Sequence, residues 1–299
     1  MTMAWSLYAS DSNEKVANNF GLPETMATVS AKSYLNWNHN IVDWTSASAN
    51  TNKALVMASK LFPYLENDTT VFKCPADTFL STQQRSLGWS ARVRSYSMNG
   101  FMGPYSANKA DSTYQGQNSL YPNYRQFLVT SSIPRPQETM VFIDEHPDSI
   151  NDGYFVVQPG TGQPQWLGLP ASYHAGAAGI SFADGSAELH QWQYASTIKP
   201  VRFNFVLSGS IPAAERGDYN WLSQRQSVTH STLAVSPAAS NQVQVVWSSL
   251  PATYVPQSAT NLTDNSWTNM AEVPIRDLGR VAVKTEIGVG EKFFRLMRP

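Results

Sequence analysis

Cysteine occurs once in the 299 residues, at Cys74. A lone thiol excludes an intramolecular disulfide framework and any Cys-rich zinc or iron–sulfur site, so packing must hold the fold. Charge is scarce too, at 14% of residues against roughly 25% in an average soluble protein. The 21 Lys and Arg against 22 Asp and Glu leave a net charge of −1, which argues against a nucleic-acid partner or an acidic membrane surface. No window approaches the roughly 18 consecutive apolar residues of a membrane span, and the first residues lack the basic and apolar regions of a signal peptide. What is present is 42% hydrophobic and 12% aromatic residues, enough for a sizeable core and too much for a disordered chain. The length predicts two domains at roughly 100 to 200 residues each. Ser, Thr, Asn, Gln, Tyr and Trp take the place of charge, a surface chemistry common in secreted and cell-surface proteins.

The order of textures predicts an α+β fold. Ala4 to Asp11 reads as the last two turns of a helix whose earlier part lies upstream. Tyr34, Trp37, Ile41 and Trp44 stand at spacings of three and four, which predicts a helix over Ala31 to Trp44, and a similar pattern predicts one over Asn52 to Leu65. From Val71 the chain breaks into short apolar runs cut by Gly, Pro and Asn, as in an antiparallel sheet with long loops. Thr139 to Asp144 has the β-branched and aromatic content of a buried strand, with Gly153 to Val157 as its expected partner across an acidic loop. Gly179 to Ala183 and Ser186 to Trp192 read as a hairpin, since Asp184-Gly185 suits a type I′ turn. After the polar stretch between Gly217 and Ser236, runs at 243–247, 254–258, 266–268, 280–283 and 292–296 predict a small β-sandwich. The expected domains are therefore 1–225 and 226–299.

Five local motifs occur in the order found in one family. His174 is followed by nine residues and then Asp184-Gly185; Leu7 to Asn13 looks like the end of a pilin helix. Cys74-Pro75-Ala76-Asp77 fits a Cys-Pro-x-Asp element, Ser95-Tyr96-Ser97-Met98-Asn99 a Ser-Tyr-x-Met-Asn element, and Asp144 to Gly153 an acidic loop. Together they resemble the prepilin-type, processing-associated H-x9-DG proteins of Planctomycetes and Verrucomicrobia, over roughly residues 4 to 195. The resemblance implies a pseudopilin-like head, an N-terminal helix remnant packed on an antiparallel sheet, serving a type II secretion or type IV pilus-like machine. The processing site and apolar helix half that carry fibre assembly in that family do not occur in this sequence. The C-terminal stretch looks like an Ig-like or fibronectin-like module.

Asp144, Glu145, His146, Asp148, Asn151 and Asp152 crowd into nine positions. Oxygen donors at that density suit Ca²⁺, and the resemblance adds that a major pseudopilin binds calcium in a loop of its sheet region. The favoured alternative is that these residues cap turns and solvate a loop. His146 and His174 with a carboxylate would suit a transition metal instead. Elbow, zincin and phosphate-loop motifs do not occur, but glycoside hydrolysis needs only two carboxylates. Glu145 and Asp184 are the expected pair, with Asp144 and Glu188 behind them and Trp89, Trp166, Trp192 and Tyr173 as sugar platforms. Core packing is the favoured role for the tryptophans, and a buried, inert thiol is the favoured reading of Cys74. The expectation is thus a secreted or surface-exposed, non-catalytic head that meets secretion machinery or an extracellular polymer. An extracellular hydrolase and a glycan-binding protein are the alternatives.

Overall fold

The structure is a computed structural model describing residues 1–160, 163–204, 210–229, 233–239, 241–248, 255–263, 266–277, 280–286 and 291–297. It divides into two compact units, Met1–Ser227 and Val228–Pro299. Antiparallel pairing dominates both, and the few short helices among the described residues all lie in the first, an α+β composition for the chain.

The first unit centres on a five-stranded sheet. Its strands are β1 (Tyr96–Asn99), β2 (Met140–Asp144), β3 (Tyr154–Phe155), β4 (Ala177–Phe182) and β5 (Ala187–Gln191), in the order β3-β1-β2-β4-β5. All five residues of the central strand β2 are buried, because both of its faces are covered. On one side Met140 and Ile143 join Phe155, Trp166, Ile180 and Trp192 in the core. On the other, Phe142 meets Trp37 edge to face at 5.3 Å. The strand over 153–157 is present but pairs with β1, in parallel, through Met98↔Tyr154. It cannot reach β2, whose two edges are occupied by β1 and β4.

The hairpin β4–β5 forms through a three-residue turn rather than the expected two-residue one. Phe182 N–H donates to the Ser186 carbonyl at 2.9 Å, and of Asp184 and Gly185 only Gly185 has positive φ, +93°. A type I′ turn needs positive φ at both positions. Asp184 instead accepts the Ser186 N–H at 2.9 Å and its hydroxyl at 2.6 Å, which closes the loop.

The helices are α1 (Thr2–Asp11), α2 (Leu22–Ser30), α3 (Lys53–Met57), α4 (Thr82–Ser86) and α5 (Gly217–Ser223). In α1 the residues Thr2, Trp5 and Ala9 lie on one face and are buried. Its far end meets the turn at 62–64, where Tyr64 donates to Asp11 at 3.0 Å. Its first residues, Met1 and Thr2, line a groove with Tyr96, Phe142 and Ile180 of the sheet.

No helix forms over 31–44, although the apolar spacing is helical. The asparagines between those apolar positions bind backbone elsewhere and so compete with helical hydrogen bonds. Asn36 Oδ1 accepts the Phe20 N–H at 3.0 Å, Asn38 donates to the Asp152 carbonyl at 3.0 Å, and Asn40 donates to the Ala49 carbonyl at 2.7 Å. The chain is held extended across the sheet, with Trp37 buried under it. For the same reason the expected helix over 52–65 shrinks to α3 and a 3₁₀ turn. Ser59 donates its hydroxyl to the Trp37 carbonyl and accepts from Leu61 N–H, ending the helical run before Pro63.

Among its described residues the second unit has seven strands: β6 (Ala234–Ala239), β7 (Gln242–Ser248), β8 (Val255–Ala259), β9 (Thr268–Asn269), β10 (Ile275–Asp277), β11 (Arg280–Glu286) and β12 (Phe293–Met297). They form antiparallel sheets in the orders β10-β11-β7-β6 and β12-β8-β9. Val245, Trp247, Val281 and Val283 of one sheet pack against Phe294 and Leu296 of the other, as in a β-sandwich. Tyr254, at the start of one expected strand, lies outside the described residues, as do 205–207 of the apolar run before the linker.

Candidate functional site

The acidic loop leaves β2 at Asp144 and turns back to β3, and it does not solvate the surface. Residues 144 through 150, with Asp152 and Gly153, are all buried. A buried charge survives only with partners, and two fully buried arginines from the stretch before β1 supply them. Arg94 donates to the carbonyls of Tyr96 and Asn151, both at 2.6 Å, and to the Ser97 hydroxyl at 3.0 Å. Arg92 lies 4.0 Å from the Trp44 ring centroid and donates to the Pro147 carbonyl at 3.3 Å. In Arg92-Val93-Arg94 the two arginines stand two apart around a bend at Val93, and both guanidinium groups turn inward under the loop.

Most polar groups of the loop are used within the fold, while Glu145 Oε2 and Asp144 Oδ1 are buried with no hydrogen-bond partner among the described residues. Asp148 accepts Trp44 Nε1–H at 2.9 Å and Arg202 N–H at 2.7 Å. Asp152 accepts Tyr154 N–H at 2.9 Å, and burial raises its carboxyl to about 6. Glu145 accepts the Ser149 hydroxyl at 2.8 Å. Burial pushes its carboxyl up to about 7, against the pull of the Ser97 and Ser149 hydroxyls and Arg94. His146 accepts Asp148 N–H on Nδ1 at 3.1 Å and meets the Lys199 carbonyl through Nε2 at 3.0 Å. That pairing requires the proton on Nε2, the neutral ring, and burial lowers its pKa accordingly.

Asp144 differs from its neighbours. Its carboxylate accepts Gly179 N–H of β4 at 2.9 Å on Oδ2, an approach only glycine allows, since a Cβ there would sit 2.9 Å from that oxygen. The same Oδ2 lies 3.4 Å from His174 Nε2. That nitrogen in turn lies 3.5 Å from Cys74 Sγ. The three donor atoms all fall within 4.8 Å of one another, and no other group of His, Cys, Asp and Glu side chains converges in this way among the described residues. Burial first, and Asp144 second, push the Cys74 thiol up, while the Ala76 and Asp77 N–H groups and Tyr96 hold its sulfur by hydrogen bonds. Asp77 beside it is buried and takes Lys73 at 2.7 Å and the Ser95 hydroxyl at 2.8 Å.

Of the residues singled out in the sequence, the structure brings together Asp144 and His174. Glu145, His146, Asp148 and Asp152 lie in the same loop, each facing its own partner. Asp184 sits in the exposed turn at the opposite end of β4 from His174, so Glu145 and Asp184 do not face one another across a bond. Trp166 and Trp192 are core residues, the first edge-on to Tyr219 at 5.3 Å and the second donating to the Ala171 carbonyl at 2.8 Å. Trp89 is half-buried. Tyr173 stacks on Phe79 at 6.2 Å and donates its hydroxyl to the Glu145 carbonyl at 2.7 Å, locking the loop to the segment that carries His174. Glu188 is an exposed partner of His190 at 3.4 Å.

Cys74 joins the cluster from 100 residues away. Its only local signal is the tight Cys-Pro-Ala-Asp turn, whose N–H groups point back at the sulfur. Set beside known family models, curated proteins and solved structures, the chain matches none of them.

Proposed function

We propose that the chain is a non-catalytic, surface-exposed head of pseudopilin type, offered to a secretion or pilus-like machine or to an extracellular polymer. One observation carries this reading: the loop that holds the chain's densest carboxylates is interior, its side chains bind mostly backbone N–H groups, and Arg94 holds its Asn151 carbonyl. Groups used in this way fix the shape of a head and are not free to receive a substrate. The arrangement of α1, whose first residues meet the sheet and whose buried face carries Trp5, supports the pilin-like part of the proposal. The scarcity of charge and the appended β-sandwich support an extracellular setting. Calcium on the acidic-loop carboxylates Asp144, Glu145, Asp148 and Asp152 is tested by thermal shift at millimolar Ca²⁺, where an unchanged Tm would count against it.

The exposed Lys32 and Lys53 make a direct test practical. A membrane-impermeant, amine-reactive biotin applied to intact producing cells should label the chain as fully as it does in lysed cells. Labelling that requires lysis would overturn the surface assignment.

A further inference from the structure

We infer that Cys74, Asp144 and His174 form a zinc-type metal centre that ties three distant segments of the head together. The inference is independent of the secretion reading and stands on the geometry of the cluster. With zinc bonds of about 2.3 Å to sulfur and about 2.0–2.1 Å to nitrogen and oxygen, tetrahedral angles place S and N about 3.5 Å apart and N and O about 3.3 Å apart. The distances here are 3.5 Å between Cys74 Sγ and His174 Nε2 and 3.4 Å between that nitrogen and Asp144 Oδ2. Two of the three donor pairs are therefore already spaced as ligands of one ion, and the sulfur and the carboxylate oxygen lie within 4.8 Å of each other.

The arrangement also distinguishes a ligand set from a catalytic triad. An imidazole that activates a thiol uses one ring nitrogen for the nucleophile and the other for the orienting carboxylate. Here a single nitrogen, Nε2, faces both partners, so no proton could be relayed from sulfur through the ring to the carboxylate. Convergence on one point is what a cation requires. Thiolate, imidazole and carboxylate form a mixed, borderline-soft set that suits zinc. Calcium takes six to eight oxygens, and this cluster offers one carboxylate.

A second observation points the same way. The Asp144 side chain is 2% exposed, and its Oδ1 is buried with no hydrogen-bond partner among the described residues. An idle oxygen on a buried carboxylate is costly, and a cation held by both oxygens of Asp144 offsets that cost. The nearby cations are committed elsewhere: Lys73 pairs with Asp77 at 2.7 Å, and Arg92 reaches the same carboxylate at 3.9 Å. An outer shell is in place as well, with Gly179 N–H on Asp144 and the Ala76 and Asp77 N–H groups on the sulfur. Such partners orient ligands and tune their basicity. The His174 side chain, 31% exposed, gives the ion a way in and leaves the fourth position to water.

The test uses the full chain without a polyhistidine tag, reduced and stripped with a chelator, then titrated with zinc alone against a colorimetric zinc chelator. One zinc per chain is expected, together with a rise in Tm. Cobalt in place of zinc should give a thiolate charge-transfer band in the near ultraviolet. In Cys74→Ser that band should vanish, and in His174→Gln zinc affinity should fall by more than the roughly 10–100-fold that loss of an outer-shell partner costs. His174 is partly exposed, so its variant keeps the fold, and circular dichroism matching the parent checks this for both variants. Failure of the parent chain to hold stoichiometric zinc, or equal zinc affinity in the parent and both variants, would overturn the inference.

Discussion

Arg94→Met should destabilise the first unit by about 2–6 kcal/mol, because it strips two buried carbonyls of their donor. The guanidinium is fully buried, and burial lowers its pKa to about 10, with Glu145 and Asp152 pulling the other way. Its two 2.6 Å bonds hold the carbonyls of Tyr96 in β1 and Asn151 in the acidic loop. Methionine fills similar volume but donates nothing, so both carbonyls would be left unpaired, at about 1–3 kcal/mol each. Arg94→Lys keeps the charge and loses the fork, and should fall between the two. Urea midpoints for the three chains check the order. A loss under about 1 kcal/mol in Arg94→Met would mean that the loop is not held from this side.

Glu145 should make the head lose stability as pH rises from about 4.5 to about 7, while His39, lowered by burial from 6.5 to about 4, works in the opposite direction between those two values. Glu145 has its ordinary pKa of 4.5 when unfolded and about 7 when folded. Below 4.5 both states are protonated and the contribution of burial is fully present. As pH rises the unfolded chain ionises first, and the contribution is lost until the folded carboxyl ionises in turn. For this one group the swing is on the order of 3 kcal/mol. Asp152 acts in the same direction, from 3.8 toward about 6. Asp111, held low by Ser119 and Thr113, acts oppositely below its ordinary 3.8. His39 and His146, both lowered by burial, act oppositely below their ordinary 6.5, so the test reads the difference between two chains. Glu145→Gln, which keeps the shape and cannot ionise, should lose less stability, or gain more, than the parent as pH rises from about 5 to about 7. Urea midpoints of both chains across that range, with chelator present, decide the matter. An unchanged slope in Glu145→Gln would contradict the assignment.

The strands were legible in the sequence where local chemistry decided them. Met140 to Asp144 is a run rich in β-branched and aromatic residues, and Asp184-Gly185 marks the turn of the β4–β5 hairpin, although the turn type depends on whether Asp184 can reach Ser186. The stretch 31–44 was not legible, because its outcome rests on asparagines bonding to backbone as far away as Asp152. The acidic loop was misread for a related reason. Clustered carboxylates argue for solvent unless buried cations meet them, and those cations, Arg92 and Arg94, stand some fifty residues earlier in the chain. Asp144 and His174 could be named as ligands from sequence, but Cys74 could not. Its place depends on the Cys-Pro turn folding over the end of β2, which no spacing encodes.

The central claim is that the loop's carboxylates hold the head's structure and do no chemistry. The most direct measurement is a turnover screen of the purified chain on soluble polysaccharides and short esters, beside Glu145→Gln and Asp184→Asn. The account predicts no turnover above the protein-free blank for any of the three chains. Turnover by the parent that falls in either variant would contradict it and place catalysis on this head.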